Sequence, residues 1–263
     1  MALTGLSEAG FQVDPSWSQN RASLEDFTNF TKLMDASYGN PTELPAGWTS
    51  AGVVQDRLSG FRAEHFVGPG GRVIAAFAGT DAKSPGDLLT DLVGNVRPTT
   101  QDAEAITEAL ALATTYSDGT LVFVGHSLGG REASEAAVAT GRPAVTLDAA
   151  GVPQSTLWLA AAAGGVPQAQ INTYLSAQSP MTRAFGVEGE TLGLLDALGI
   201  MADRWGTSCL LPDPPGEDGG ILNNHSIATA VAAAAIYYDT SAPRPKPYAP
   251  PPVVAQERGR SHL

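Results

Sequence analysis

The residues of this chain best suited to chemistry are Gly125-His126-Ser127-Leu128-Gly129. A serine hydroxyl becomes a useful nucleophile when it is held exposed and a neighbour takes its proton. The Gly-x-Ser-x-Gly spacing meets the first condition. Four β-favouring apolar residues, Leu121-Val122-Phe123-Val124, run into a turn too tight for side chains at Gly125 and Gly129, and a helix-compatible segment follows. This is the pattern of a nucleophile elbow, with Ser127 as the attacking group.

The base comes next, and histidine is the side chain whose pKa suits proton transfer at neutral pH. The chain has four. His126 lies inside the elbow, too close in sequence to turn back on Ser127. His65 falls in an early extended segment where alternation makes it a sheet-face residue, and His262 belongs to the tail. His225 remains, after a long loop and at the start of an apolar helix, and is the candidate base. A carboxylate must then fix the tautomer of that imidazole and stabilise its charged form. The chain order Ser…Asp…His is expected for an elbow of this kind. Asp148 closes the short apolar segment 144–147 and fits that order, Asp203 is the alternative, and Asp196, Asp213 and Asp218 lie in less constrained segments. An oxyanion needs two converging N–H groups: Leu128, directly after the serine, and Thr80, at the end of Phe77-Ala78-Gly79-Thr80-Asp81.

The elements that must position these groups read in order. Apolar residues at 24, 27, 30, 33 and 34 predict an amphipathic helix over 23–38, with Ser23 and Asp26 as a capping box and Gly39-Asn40-Pro41 as its end. Two extended segments, 60–67 and 72–77, are joined by Gly68-Pro69-Gly70-Gly71. Asp87 and Asp91, one helical turn apart, have no further oxygen or imidazole ligands nearby and read as capping and solvated residues rather than a metal site. A helix over 100–116 precedes the elbow strand, with Ile106, Ala109, Leu110 and Ala113 as its buried stripe. After the elbow helix and the strand at 144–147, Ile171-Asn172-Thr173-Tyr174-Leu175 reads as a further strand. Residues 188–205 suggest a helix and loop over the crevice, a lid; 210–220 is loop, and 227–238 is an apolar helix. Helix, strand, elbow, helix is the order of an α/β-hydrolase, a mostly parallel central sheet flanked by helices.

The chain is 263 residues long and 43% hydrophobic, enough for one sizeable domain over 1–240, with a Pro-rich linker or tail over 241–263. A net charge of -12 argues against nucleic-acid binding and against electrostatic docking on anionic membranes. A lipid substrate, met in transient contact with a membrane surface, would have to be engaged by apolar surface. Cys209 is the single cysteine, so no intrachain disulfide forms. The first residues lack a basic region and an apolar stretch, so the expectation is a protein made in the cytoplasm and secreted or translocated without a Sec signal peptide. Nothing in the residues calls for a cofactor or a metal.

Phe77-Ala78-Gly79-Thr80-Asp81, then Asp87-Leu88-Leu89-Thr90-Asp91, then Gly125-His126-Ser127-Leu128-Gly129-Gly130 resemble the class 3 lipases and their bacterial relatives over about residues 20–240. The resemblance implies an α/β-hydrolase fold, hydrolysis of acylglycerol or phospholipid esters, no cofactor, and an oxyanion residue matching Thr80. In that family the acid follows the strand corresponding to 171–175, where this chain has Ser179-Pro180-Met181-Thr182. Leu147-Asp148-Ala149-Ala150-Gly151-Val152-Pro153 is instead similar to the Leu-Asp-Pro-Ala-Gly-Pro element of pancreatic-type lipases, whose acid follows the strand after the nucleophile's. The resemblance therefore moves the acid to Asp148. The Pro-rich end, closing in Glu-Arg-Gly-Arg-Ser-His-Leu, is similar to the segment before the secretion domain of type IV secretion antibacterial effectors, which implies a toxin against rival membranes and an immunity protein as partner. The competing readings are a soluble-ester or polyester esterase and a non-catalytic binding protein of the same fold.

Overall fold

The structure is a computed structural model, and it describes residues 24–79, 98–117, 120–188, 202–214 and 225–238. Seven strands form one sheet whose spatial order is the sequence order: β1 (Thr49–Gln55), β2 (Arg62–Val67), β3 (Val73–Phe77), β4 (Leu121–His126), β5 (Ala144–Leu147), β6 (Thr182–Val187) and β7 (Thr207–Leu211). The first two pairings are antiparallel and the four from β3 to β7 are parallel.

That order dictates where the helices lie. Each parallel neighbour is reached by a crossover, and right-handed crossovers between strands added in one direction all fall on the same face. On that face lie α2 (Thr100–Thr115), α3 (Leu128–Thr140), α4 (Gln154–Ala163) and α5 (Ile171–Gln178). The other face is covered by α1 (Leu24–Ser37) and α6 (Ile227–Tyr238), which begin and end the described fold. Strand alternation sorts the core accordingly. Ile74, Ala76, Val122, Val124, Val145 and Leu147 pack with Phe27, Phe30, Leu33 and Met34 of α1 and Ala230, Ala233 and Ala234 of α6. Val73, Ala75, Phe77, Leu121, Phe123 and Ala144 pack with α2 and α3.

The helix predicted over 23–38 is present and buries its predicted face at Phe27, Phe30, Leu33 and Met34; Ser23 lies outside the described residues. The two predicted extended segments are β2 and β3. In α2, Ile106 and Ala109 are buried as expected, together with Leu112, while Leu110 and Ala113 are half-buried.

Two expectations are corrected, and one strand was not foreseen. Residues 171–175 are helical: Ile171 and Leu175, one turn apart, are the buried positions of α5, and Asn172 and Thr173 between them are exposed. The β-branched residues that suggested a strand occupy one buried and one exposed helical position. The strand of that region is β6, after the break at Ser179-Pro180-Met181. Strand β1 was missed because nearly all its residues are exposed on both faces, so it carries no alternation. Strand β7 extends to Leu211, into the segment expected to be loop.

Helix α3, which presents the elbow, is buried from Leu128 through Ala139, charged residues included. Arg131 donates to Asp102 at 2.7 Å and to Glu135 at 3.0 Å. Asp102 also accepts from the Thr99 N–H at 2.6 Å in the capping box of α2. One guanidinium thus ties two helices together beneath the elbow. Burial and the neighbouring carboxylates hold Glu132 and Glu135 well above the usual carboxylate range, despite Arg131.

Candidate active site

Strand β4 pairs with β3 through Phe77↔Gly125 and with β5 through His126↔Leu147, so its end opens where three parallel strands finish. Ser127 follows at φ 58° and ψ -124°, a left-handed backbone that an L-residue adopts only when the surroundings impose it. The surroundings do so through glycine. A Cβ on Gly125 would run into the carbonyl of Gly129, and one on Gly129 into the carbonyl of Phe77. The turn is also stitched to its neighbour: the Ser127 N–H donates to the Leu147 carbonyl at 3.1 Å, and the Ala150 N–H donates to the Ser127 carbonyl at 3.0 Å. Leu128 is the first residue of α3, where a helix leaves its backbone N–H groups unbonded within the helix.

Asp148 follows β5 at φ 43° and is fully buried. Its Oδ1 accepts the Val187 N–H at 2.9 Å, whereas Oδ2 is buried without a hydrogen-bond partner among the described residues. Burial pushes the carboxyl up to about 7, opposed by the nearby Arg204 guanidinium and the Val187 N–H. His225 is buried at the start of the last described segment, just before α6. Burial, and secondarily Arg204, lower its imidazole to about 4, so the ring is neutral at pH 7.

Single ring nitrogens of His126 and His225 and a carboxylate oxygen of Asp148 all lie within 4.8 Å of one another. Three such groups could hold a metal ion, but both nitrogens of His126 are already engaged. Nε2 lies 2.8 Å from the His225 carbonyl, which can only accept, so Nε2 carries the proton. Nδ1 then accepts from the Tyr38 hydroxyl at 2.9 Å. Burial and the adjacent His225 lower His126 to about 3, which keeps that tautomer neutral. A metal ion or an incoming proton at either nitrogen would have to displace the bond already made there. His126 therefore acts as a bracket that ties the end of β4 to the backbone of His225.

Of the residues named from the sequence, Ser127, Leu128, Asp148 and His225 converge at the ends of β4 and β5. Thr80, Asp87 and Asp91 lie outside the described residues, as do Asp196, Asp218, His262 and most of the expected lid. Gly79, immediately before Thr80, abuts the elbow: a Cβ there would sit 3.2 Å from that of Ser127. Asp203 is exposed, and only its carbonyl is seen in use, accepting from the Val152 N–H at 3.1 Å. His65 lies in β2, its ring packed on Gly52 and Tyr116, away from the elbow. The strand expected at 171–175, with no acid at its mouth, is helical; the strand that follows, β6, is succeeded by the exposed Glu188. Sequence reasoning missed Tyr38 and Arg204; neither belongs to a motif, and each reaches the site across long sequence distances.

A mostly parallel sheet, a strained serine between strand and helix, and a buried aspartate and histidine at the strand ends define an α/β-hydrolase. Comparison with known proteins narrows the class. The family model described as the Tle-like phospholipase domain matches residues 30–216, and the chain belongs to that family. The extracellular phospholipase A1 of Serratia liquefaciens is 39% identical over 109 residues, 40% of this chain and 32% of that protein, so the match spans about a third of the relative's length. Among solved structures, a triacylglycerol lipase from Penicillium expansum aligns at 17% identity over 73% of this chain and 82% of that one, with a TM-score of 0.49. A thermostable esterase from Pseudomonas putida aligns at 12% identity over 83% and 90%, with a TM-score of 0.35.

Proposed function

We propose that this chain is a serine carboxylic-ester hydrolase of the phospholipase A or lipase type, working through Ser127, His225 and Asp148. The observation that carries the assignment is the buried Asp148, held by Val187 and beside His225 in a neighbouring loop stitched to the elbow. Family membership supports the lipid ester as substrate.

In this reading His225 takes the proton of Ser127 as Oγ attacks the ester carbonyl, and Asp148 stabilises the imidazolium that forms. The tetrahedral oxyanion is met by the N–H groups of Leu128 and Thr80. Collapse expels the alcohol, to which His225 returns the proton, and leaves an acyl-enzyme that water hydrolyses with the same base. Among the described residues the hydroxyl of Ser127 has no hydrogen-bond partner. Catalytic contacts are commonly loose before substrate binds and tighten in the Michaelis complex. The resemblance of the Pro-rich tail supports a finer reading, an antibacterial effector delivered to rival cells and neutralised by an immunity protein.

The test has two arms. A fluorophosphonate should label the wild type at Ser127 at neutral pH and leave Ser127→Ala unlabelled. Phosphatidylcholine vesicles and triacylglycerol emulsions should release fatty acid with the wild type alone. Labelling without release from any lipid would leave a soluble-ester esterase, and no adduct at all would leave a non-catalytic binding protein.

A further inference from the structure

The segment 202–206 packs against the loop that follows Asp148. The Gly151 Cα is pressed against the Ala202 backbone, the Val152 N–H donates to Asp203, and Arg204 Nε donates to the Ala149 carbonyl at 3.1 Å. Each of these contacts falls within four residues after Asp148. The guanidinium then lies along β6 at Gly186, where the absence of a side chain makes room for it: a Cβ there would collide with Arg204 Nη1, and would also lie 3.7 Å from Asp148 Oδ1. The guanidinium and the Asp148 carboxylate thus both border the space beside the Gly186 Cα.

We propose that Arg204 is a positioning residue for the reaction: tied to Ala149 and seated on Gly186, its guanidinium is the fixed counter-ion of the Asp148 carboxylate. The proposal rests on the Ser127, His225 and Asp148 reading. Its physical logic is that a carboxylate removed from water needs a nearby positive charge to remain ionised. An Arg held slightly apart supplies that charge without occupying Oδ2, which stays available to the imidazole. A direct bidentate pair would take both oxygens.

Among the described residues, the ionisable groups around this pair are His126 on β4, held neutral by its two hydrogen bonds, and Arg204 itself. Asp35, after the middle of α1, acts on His126, and Asp203 and Glu188 are exposed. The same guanidinium also disfavours the imidazolium of His225. Removing it therefore raises the proton affinity of both groups. Both changes displace the acid limb of the reaction in one direction, toward alkaline pH.

The rate of Ser127 labelling by a fluorophosphonate, followed from pH 5 to 10, reads this without assuming a substrate. In Arg204→Met the acid limb should move up by about 1 to 3 pH units, the usual effect of an adjacent Arg on a carboxylate, with the rate recovering as pH rises. Arg204→Lys should move it less. Gly186→Ala, which fills the guanidinium's seat while keeping its charge, should move it in the same direction. Thermal melting of each variant separates a misfolded protein from a shifted profile. A loss in Arg204→Met that is uniform across pH, or an unshifted limb, would overturn the proposal. Asp148→Asn labelled as fast as wild type would instead overturn the triad reading on which it stands.

Discussion

Replacing Asp148 by Asn should all but abolish turnover while making the protein more stable in alkaline solution, and the structure sets both effects. Oδ1 accepts the Val187 N–H, so the amide oxygen of the substituted side chain must take that position and its NH2 group must occupy the place of Oδ2. A donor then faces His225 where an acceptor belongs. The imidazole answers by accepting at that nitrogen and carrying its proton on the other, the one that must receive the proton of Ser127. An aspartate-to-asparagine change that reverses the tautomer in this way lowers kcat by about 10⁴. The stability effect follows from burial. A carboxyl held near 7 in the folded protein, against 3.8 when free, costs the fold about 4 kcal/mol once fully ionised. Because the folded value is the raised one, stability is complete below about pH 4 and is lost as pH rises through 7. Asn has no such ionisation. Urea unfolding at pH 4 and pH 9, with ester turnover measured in parallel, should show similar stabilities in acid and an advantage of up to about 4 kcal/mol for the variant at pH 9. Turnover within tenfold of wild type would refute the geometric argument. A variant less stable than wild type at pH 9 would refute the electrostatic one.

Glu132 poses the same linkage without catalysis. Its buried carboxyl is raised well above 4.5, so its contribution to stability is lost as pH climbs above that value, and Glu132→Gln should raise Tm at pH 8 while changing it little at pH 5. Equal melting at pH 8 would mean that Arg131 already compensates the charge. His126→Phe keeps a ring in the bracket but loses the bonds to Tyr38 and to the His225 carbonyl. Freed backbone at the base should lower kcat by roughly 10- to 100-fold, the cost of a displacement of about 1 Å, with the Tm reduced by only a few degrees. A wild-type kcat would remove the bracket from the mechanism.

The elbow was legible because its constraint is local. Close approach of backbone at Gly125 and Gly129 demands glycine whatever the rest of the chain does. The helix before it and α1 were legible because each buries one regular face, and the strand after it because it is a short run buried throughout. Strand β1 buries almost nothing, and α5 is eight residues whose burial depends on just two of them, Ile171 and Leu175, so periodicity had little to register. The site shows the same division. The place of Asp148 after a buried strand was readable from the sequence, while Tyr38 reaches His126 across 88 positions and Arg204 reaches Ala149 across 55. No pattern in the sequence brings those pairs together; only the sheet does.

The stitching of Ser127 to the loop after β5 has a consequence for how such a chain can diversify. On the proposed assignment the nucleophile and the acid share adjacent strand ends and two backbone hydrogen bonds, so their relative placement is inherited from the sheet. On that assignment the connection from β6 to β7 holds no member of the triad, and among its described residues those around Arg204 meet the loop after Asp148. The placement of the proposed nucleophile and acid therefore does not depend on the β6–β7 connection, and a change there can alter what the site meets while the two groups keep their relative position.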